Sequence, residues 1–295
     1  MTHWTPEKTA DGSYTFFSEE FQETFHSRQG AKAEAFYKFS RATNLTAISR
    51  RDRLCIIDVC YGLGYNSGVA LETIWAANPD CHITLYALEL DATVPIGAIV
   101  PDLLQEWQPN IQSILIDLAH NQKSTSPTLD ASLILGDARQ TIEQLIQQNI
   151  QADSIFFDPF SPRRCPQLWS VDFFQKVSQC LAPTGKIATY SRSASVRSAL
   201  LEVGLRIGTI PLEHEDWREY RPHDWSQGTV GTWQNTDLNP LTQMELEHLK
   251  TRAAVPYRDP DLTDNAEAIL QRHRLEQAQS TAEATTQWRK RWGLS

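Results

Sequence analysis

The chain has 295 residues, 41% of them hydrophobic and 21% charged, with a formal net charge of −9. That length admits one large α/β domain with appendages, and the composition is that of an ordinary globular protein. The negative balance argues against tight non-specific binding to nucleic acid through phosphates. No apolar run is long enough to span a bilayer, and Glu7, Lys8 and Asp11 stand where a secretory leader needs an apolar stretch, so a cytoplasmic location without membrane contact is expected.

Residues 1–50 read as a cover placed before the core, with Asp11-Gly12 as a turn signal. Tyr14, Phe16, Phe21 and Phe25 lie on two short extended segments, and residues 29–41 read as a helix with Ala35, Phe36 and Phe39 on one side. Packing on the core is the simplest use of those aromatics. Residues 54–68 follow, Leu-Cys-Ile-Ile-Asp-Val-Cys-Tyr-Gly-Leu-Gly-Tyr-Asn-Ser-Gly. Their first part suits a strand buried on both faces, the Gly-x-Gly turn leaves bare amides for a ligand, and Asn66 with Ser67 can cap the next helix. The second strand, residues 82–90, ends in Glu89 and Asp91, and a carboxylate there matches the paired hydroxyls of a ribose. Ser67 stands where a third glycine of a pyrophosphate-binding turn belongs. The pattern therefore favours a nucleoside without phosphates, of which S-adenosylmethionine is the commonest.

Residues 96–107 read as helical, with Pro95 and Pro101 restricting the start; 111–120 have mixed apolar spacing and receive no assignment; 121–128 read as a loop. A third strand, 129–135, runs into Gly136-Asp137-Ala138-Arg139. Asp137 there can accept the exocyclic amine of adenine while the adjoining Ala138 amide meets a ring nitrogen. Helices are expected at 138–149, 169–181 and 193–203, and strands at 153–157, 186–190, 205–210 and 229–233. The alternation predicts a Rossmann-like α/β fold: a largely parallel seven-stranded sheet with helices on both faces. The expected organisation is an N-terminal hairpin and helix (1–50), a core (51–235) and a C-terminal helical extension (236–295). In that extension 241–252 and 264–279 are helical, the latter capped by Asp264, and the tail from Ser280 is a polar, partly disordered appendage.

Five cysteines, Cys55, Cys60, Cys81, Cys165 and Cys180, make no Cys-x-x-Cys pair, and eight histidines show no metal-ligand spacing. Buried free thiols and no metal are expected. Arginines concentrate at Arg50, Arg51 and Arg53, at Arg163 and Arg164, at Arg192 and Arg197, and at Arg218 and Arg221. Each group is either a local positive face or solvated loop charge.

The fourth strand runs directly into Asp158-Pro159-Phe160-Ser161-Pro162. An amine that takes a methyl from a sulfonium must present a free lone pair in line with the S–CH3 bond. A carboxylate and a proline carbonyl suit its two N–H groups, and an aromatic ring beside them can stack on a planar base. Asp158-Pro159-Phe160 resembles the Asp/Asn-Pro-Pro-Tyr/Phe motif of amino-group methyltransferases. A free alkylammonium has a pKa near ~10, so Asp158 reads as a positioner that also receives the proton.

Asp158-Pro159-Phe160-Ser161-Pro162, residues 166–169, 185–190 and Val196-Arg197 together resemble the methyltransferase part of the MnmC family. Asp11-Gly12-Ser13-Tyr14-Thr15, Ser18-Glu19-Glu20, Gly30-Ala31 with Glu34-Ala35, and 254–260 are similar to its stand-alone members, so the likeness covers most of the chain. The resemblance implies S-adenosylmethionine as cofactor and methylation of the 5-aminomethyl group on the wobble (2-thio)uridine of a tRNA anticodon loop. It implies Asp58, Gly62, Gly64, Asn66, Glu89, Asp137 and Ala138 as cofactor-binding residues, and Asp158, Pro159 and Phe160 as catalytic ones. The loop here is Tyr-Gly-Leu-Gly-Tyr-Asn where the family commonly has Gly-Thr-Gly-x-Asn, and 236–295 are too few for a flavin-binding half. Two alternatives stay open: an aminopropyltransferase or small-molecule amine methyltransferase of the same fold, which the acidic charge suits, and a non-catalytic RNA-binding protein of that fold. The sequence assigns no oligomeric state.

Overall fold

The computed structural model describes residues 4–212, 224–234 and 238–294; Arg218 and Arg221 lie outside them. Eight strands form the central sheet: β1 (Arg53–Val59), β2 (His82–Glu89), β3 (Lys123–Ser126), β4 (Leu129–Leu135), β5 (Ala152–Phe157), β6 (Leu181–Thr189), β7 (Arg206–Ile210) and β8 (Gly228–Thr232). Their order is β7-β8-β6-β5-β1-β2-β4-β3. The five inner strands, β6 to β4, run parallel, and β3, β7 and β8 pair antiparallel. The order reverses between β1 and β5, so the crevice at the carboxyl ends of those two strands is where such a sheet receives a ligand.

The sheet is Rossmann-like as expected, with one strand more. Lys-Ser-Thr-Ser at β3 reads as loop because it has no apolar face; as an edge strand it needs none, with Lys123, Thr125 and Ser126 exposed on the margin of the sheet and Ser124 buried, its hydroxyl donated to Asp117 at 3.0 Å. β1 is completely buried at Ile56, Ile57 and Val59 because helices cover both faces. One face packs on α1 (Tyr65–Ala77), on α2 (Pro109–Asn121) and on N-terminal residues including Phe16 and Phe39. The other packs on α3 (Ala138–Gln147), α4 (Val171–Gln179) and α5 (Ala194–Glu202), with Ile269 from the C-terminal region.

α2 occupies the stretch left unassigned: Ile111, Ile114, Leu115 and Leu118 share its buried face, and Pro109 opens it, where a missing N–H costs nothing. The helix expected over 96–107 is instead two short turns, Thr93–Gly97 and Pro101–Leu104. α4 begins at Val171 because the Ser170 hydroxyl caps it by accepting from the Phe173 amide; Trp169 belongs to a preceding 3-10 turn. β6 starts early, at Leu181, with an irregular register between Leu181 and Lys186.

In the N-terminal region Glu7–Lys8 pairs with Tyr14–Thr15 around Asp11-Gly12, and Phe17–Ser18 pairs with Glu23–Thr24. The helical segment Ala31–Ala35 passes into a π-helical turn, Phe36–Ser40. Ala35 and Phe39 are fully buried, while Phe36 is 37% exposed and not part of their face. All five cysteines are free thiols.

The C-terminal region is folded through its described residues, 238–294. Asn265, not Asp264, caps the helix Ala266–Gln279, since its side chain accepts from the Ala268 amide, and Asp264 pairs with Arg272. The segment Thr285–Arg291 is a helix that buries Trp288, stacked on His248 at 4.1 Å, with its indole N–H donated to the Met244 carbonyl. Arg197, grouped in the sequence with possible surface charge, is buried and donates to Glu245 at 2.8 Å. Among the described residues no helix is long and apolar enough to cross a membrane. Trp288→Ala should cost about 3–5 kcal/mol, the range for emptying a large buried aromatic site; a urea midpoint unchanged from wild type would show that the tail contributes nothing to the fold.

Candidate active site

At the end of β1 the chain turns sharply. The Cys60 and Tyr61 amides both donate to the Leu88 carbonyl at the end of β2, and the Gly64 amide closes the turn on the Tyr61 carbonyl at 3.0 Å. Gly62 and Gly64 have φ of +56° and +85°. A Cβ at Gly64 would stand 2.6 Å from the Tyr61 hydroxyl, so shape alone demands glycine there. Gly64 is also the residue that precedes α1, and no side chain caps that helix. Asn66 and Ser67, expected as caps, point elsewhere. Asn66 donates to Asp158 at 2.8 Å, and Ser67 donates to Asp58 at 2.6 Å.

Three carboxylates at the sheet edge meet one cavity, of about 990 Å³ including its open mouth. Glu89 accepts from the Gly62 amide at 2.8 Å and from the Asp91 amide at 2.9 Å. Asp137 opens α3 by accepting from the Arg139 amide, and the Arg139 guanidinium clamps its carboxylate at 2.7 Å. Arg139 also donates to Asp259 at 2.7 Å and to the Asp264 carbonyl at 2.9 Å, tying this edge to the C-terminal region. The Asp158 amide donates to the Val59 carbonyl at 3.1 Å, which seats the loop after β5 beside the turn after β1.

Of the residues expected at the site, Gly62, Glu89, Asp137, Ala138, Asp158 and Phe160 line this cavity. Asp58, Gly64, Asn66 and Pro159 do not. Asp58 is fully buried behind the turn and holds Ser67 at the start of α1; Gly64 shapes the turn; Asn66 steadies Asp158. The Pro159 carbonyl, expected to receive an amine N–H, already accepts the Tyr190 hydroxyl at 2.9 Å. The Phe160 ring stacks on Phe21 at 4.4 Å and meets Phe25 edge-on at 4.9 Å, and the Phe160 carbonyl accepts the Trp169 indole N–H. Ser161 is held through its amide and hydroxyl by Glu23. Of the aromatics read as core packing, Phe21 and Phe25 are walls of the cavity, together with Trp4, His26 and Gln167, while Phe16 is buried in the core and Tyr14 packs against it. Behind Asp158 lies the buried ion pair of Lys38 with Glu34, with Lys38 over the Tyr190 ring.

The charge balance of the lining is one-sided. Glu20, Glu89, Asp91, Asp137 and Asp158 face the cavity, and no lysine or arginine does among the described residues. Burial raises the pKa of Asp158 well above the usual carboxylate range, and the nearby Glu34 adds to it. Burial raises Glu89 as well, and lifts Asp58 to about 7. A cationic ligand would favour the ionised forms of such groups.

Residues 98–212 match the model of a family described as S-adenosyl-L-methionine-dependent methyltransferase. The crystal structure of MnmC2 from Aquifex aeolicus superposes with a TM-score of 0.79 and 29% identity, over 95% of this chain and 87% of that one. An uncharacterised protein of Methanocaldococcus jannaschii is 29% identical over 90% of this chain and 70% of its own. The bifunctional tRNA 5-methylaminomethyl-2-thiouridine biosynthesis protein MnmC of Polaromonas naphthalenivorans is 27% identical over 74% of this chain; the match spans 36% of that longer protein. The fold, the acidic rim cavity and these matches define the chain as an S-adenosylmethionine-dependent methyltransferase. Within that class it is similar to MnmC2 and to the methyltransferase half of the bifunctional MnmC proteins.

The residues present fit the cofactor: the anionic lining suits a sulfonium, and two lining side chains hold polar atoms, Nδ1 of His26 and Oε1 of Gln167, that are buried without a hydrogen-bond partner. Because the Asp58 carboxyl is raised in the folded state, the folded protein binds more protons than the unfolded chain between pH ~4 and about 7, so this group's contribution to stability falls as pH rises through that window. Asp58→Asn should flatten the decline of the ligand-free melting temperature from pH 5 to pH 8; a decline as steep as in wild type would show that Asp58 is ionised throughout.

Proposed function

We propose that this methyltransferase transfers a methyl group from S-adenosylmethionine to the 5-aminomethyl nitrogen of a wobble uridine in tRNA, giving 5-methylaminomethyluridine. The observation that carries the reading is that Asp158, in an Asp-Pro-Phe loop, faces the same cavity as Glu89 and Asp137. Similarity to MnmC2 and to the MnmC methyltransferase half supports the substrate class.

In this reading Glu89 receives the ribose hydroxyls, and Asp137 with the Ala138 amide receives adenine. The cofactor supplies an electrophilic methyl on a positively charged sulfur. Asp158, steadied by Asn66, accepts an N–H of the incoming amine and aims its lone pair at that methyl. The new N–C bond forms as the S–C bond breaks, the bonding pair stays on sulfur, and the amine's surplus proton passes to the Asp158 carboxylate. A raised pKa suits Asp158 to hold that proton. Since the Pro159 carbonyl accepts the Tyr190 hydroxyl, Pro159 serves the site through Tyr190, by positioning the loop that carries Asp158. Residues 1–50 cover the site, supported by the Phe21, Phe25 and Glu23 contacts to Phe160 and Ser161; 51–235 form the catalytic core and 236–295 an extension.

Arg163 and Arg164 are exposed just past Ser161, which makes them the arginine group best placed to meet RNA phosphates. Arg51 and Arg192 are paired with Asp153 and Asp224. A second reading, a small-molecule amine as acceptor, is favoured by one feature: a cavity lined by carboxylates attracts polyamines as well as a sulfonium.

Purified protein should move labelled methyl from S-adenosylmethionine to tRNA bearing 5-aminomethyluridine, and Asp158→Ala should reduce the rate at least ~100-fold while cofactor affinity changes little. Transfer to polyamines with none to tRNA would favour the second reading. Replacing Arg163 and Arg164 together by alanine should weaken tRNA binding and lower the slope of log affinity against log salt by roughly 2; an unchanged slope would make them ordinary surface charge.

A further inference from the structure

We infer that His26, on the N-terminal cover, donates a hydrogen bond to the carboxylate of the cofactor's amino-acid end and thereby selects ligands that carry it. The inference rests on the cofactor assignment and is independent of the RNA reading.

A ligand anchored at Asp137 and Glu89 has its remaining length to place past the Gly62 turn toward Asp158. That length carries two cationic groups and one carboxylate. Carboxylates of the cavity suit the cations, but the ligand's own carboxylate needs a donor, and no lysine or arginine lines the cavity among the described residues. Of the other lining side-chain donors, the Trp4 indole N–H donates to Thr93 at 2.9 Å, the Tyr61 hydroxyl lies against Gly64, and the Ser18 hydroxyl is held by the Phe21 amide, from which it accepts at 3.2 Å. Gln167 also lines the cavity, but its buried unpartnered atom is Oε1, an acceptor that a carboxylate cannot pair with.

His26 lines the cavity and is 93% buried, its relative exposure being 7%. Its ring stands edge-on to the Tyr65 ring, with centroids 5.0 Å apart. Its backbone is fixed on both sides: the amide donates to the Thr15 hydroxyl at 2.9 Å, and the carbonyl accepts from the Thr24 hydroxyl at 2.8 Å. The imidazole itself has no hydrogen bond among the described residues, and Nδ1 is fully buried without a partner. An unpaired buried polar group costs about 1–3 kcal/mol, a cost that a ligand able to pair with it removes. Burial holds the ring neutral, with its pKa near 4, so it keeps one N–H donor at physiological pH.

The test is calorimetric binding to the full chain of S-adenosylhomocysteine, which has the amino-acid end, and of 5′-methylthioadenosine, which lacks it. His26→Ala should weaken S-adenosylhomocysteine by about tenfold or more and leave 5′-methylthioadenosine within about twofold, and His26→Gln, which keeps an N–H donor, should recover most of the loss. A melting temperature of ligand-free His26→Ala no lower than wild type would agree, since the variant removes an unsatisfied group. Equal weakening of both ligands, or of neither, would overturn the inference. Failure of the wild type to bind either would overturn it together with the cofactor assignment.

Discussion

The site depends on the seam between β1 and β5. There the Asp158 amide donates to the Val59 carbonyl, and Asn66, one residue into α1, holds the Asp158 carboxylate. Those two hydrogen bonds join the glycine turn after β1 to the Asp-Pro-Phe loop after β5, and both meet the same cavity. A parallel sheet places both at its carboxyl rim because its strand order reverses at this seam. Rigid strands buried on both faces fix the relative position of two loops that share no covalent neighbourhood.

Around that seam the protein accepts an electrostatic cost. Among the described residues no lysine or arginine lines the cavity: Arg139 balances Asp137 from behind, the Lys38 ammonium is committed to Glu34, and Glu89 and Asp158 have no salt-bridge partner. Raised pKa values at Asp158 and Glu89 express that cost in the ligand-free state. A positively charged ligand relieves it. The N-terminal cover closes the arrangement: Phe21 stacks on Phe160 and Glu23 holds Ser161, so the loop that carries Asp158 is braced from outside the sheet.

Much of this was legible in the sequence, for reasons that can be named. Buried parallel strands leave continuous apolar runs, and Gly62, Gly64, Glu89, Asp137 and Asp158 each follow such a run, which is why the rim could be read residue by residue. What stayed hidden depended on contacts between distant segments. Asn66 reads as a helix cap, because its partner lies 92 residues away. Arg139 follows a predicted ligand-binding aspartate, yet its link to Asp259 spans 120 residues and is invisible to local pattern. The polar edge strand Lys123–Ser126 has no apolar period to detect. The tail around Trp288 reads as disordered because its composition is polar, although a single indole stacked on His248 anchors it.

The most direct measurement of the account is calorimetry of S-adenosylmethionine binding in buffers of different ionisation enthalpy, between pH 5.5 and 8. If buried carboxylates with raised pKa values receive the sulfonium, binding releases protons at the acid end of that range and affinity climbs as pH rises. Absence of binding, or binding that takes up protons and strengthens toward acid pH, would contradict it.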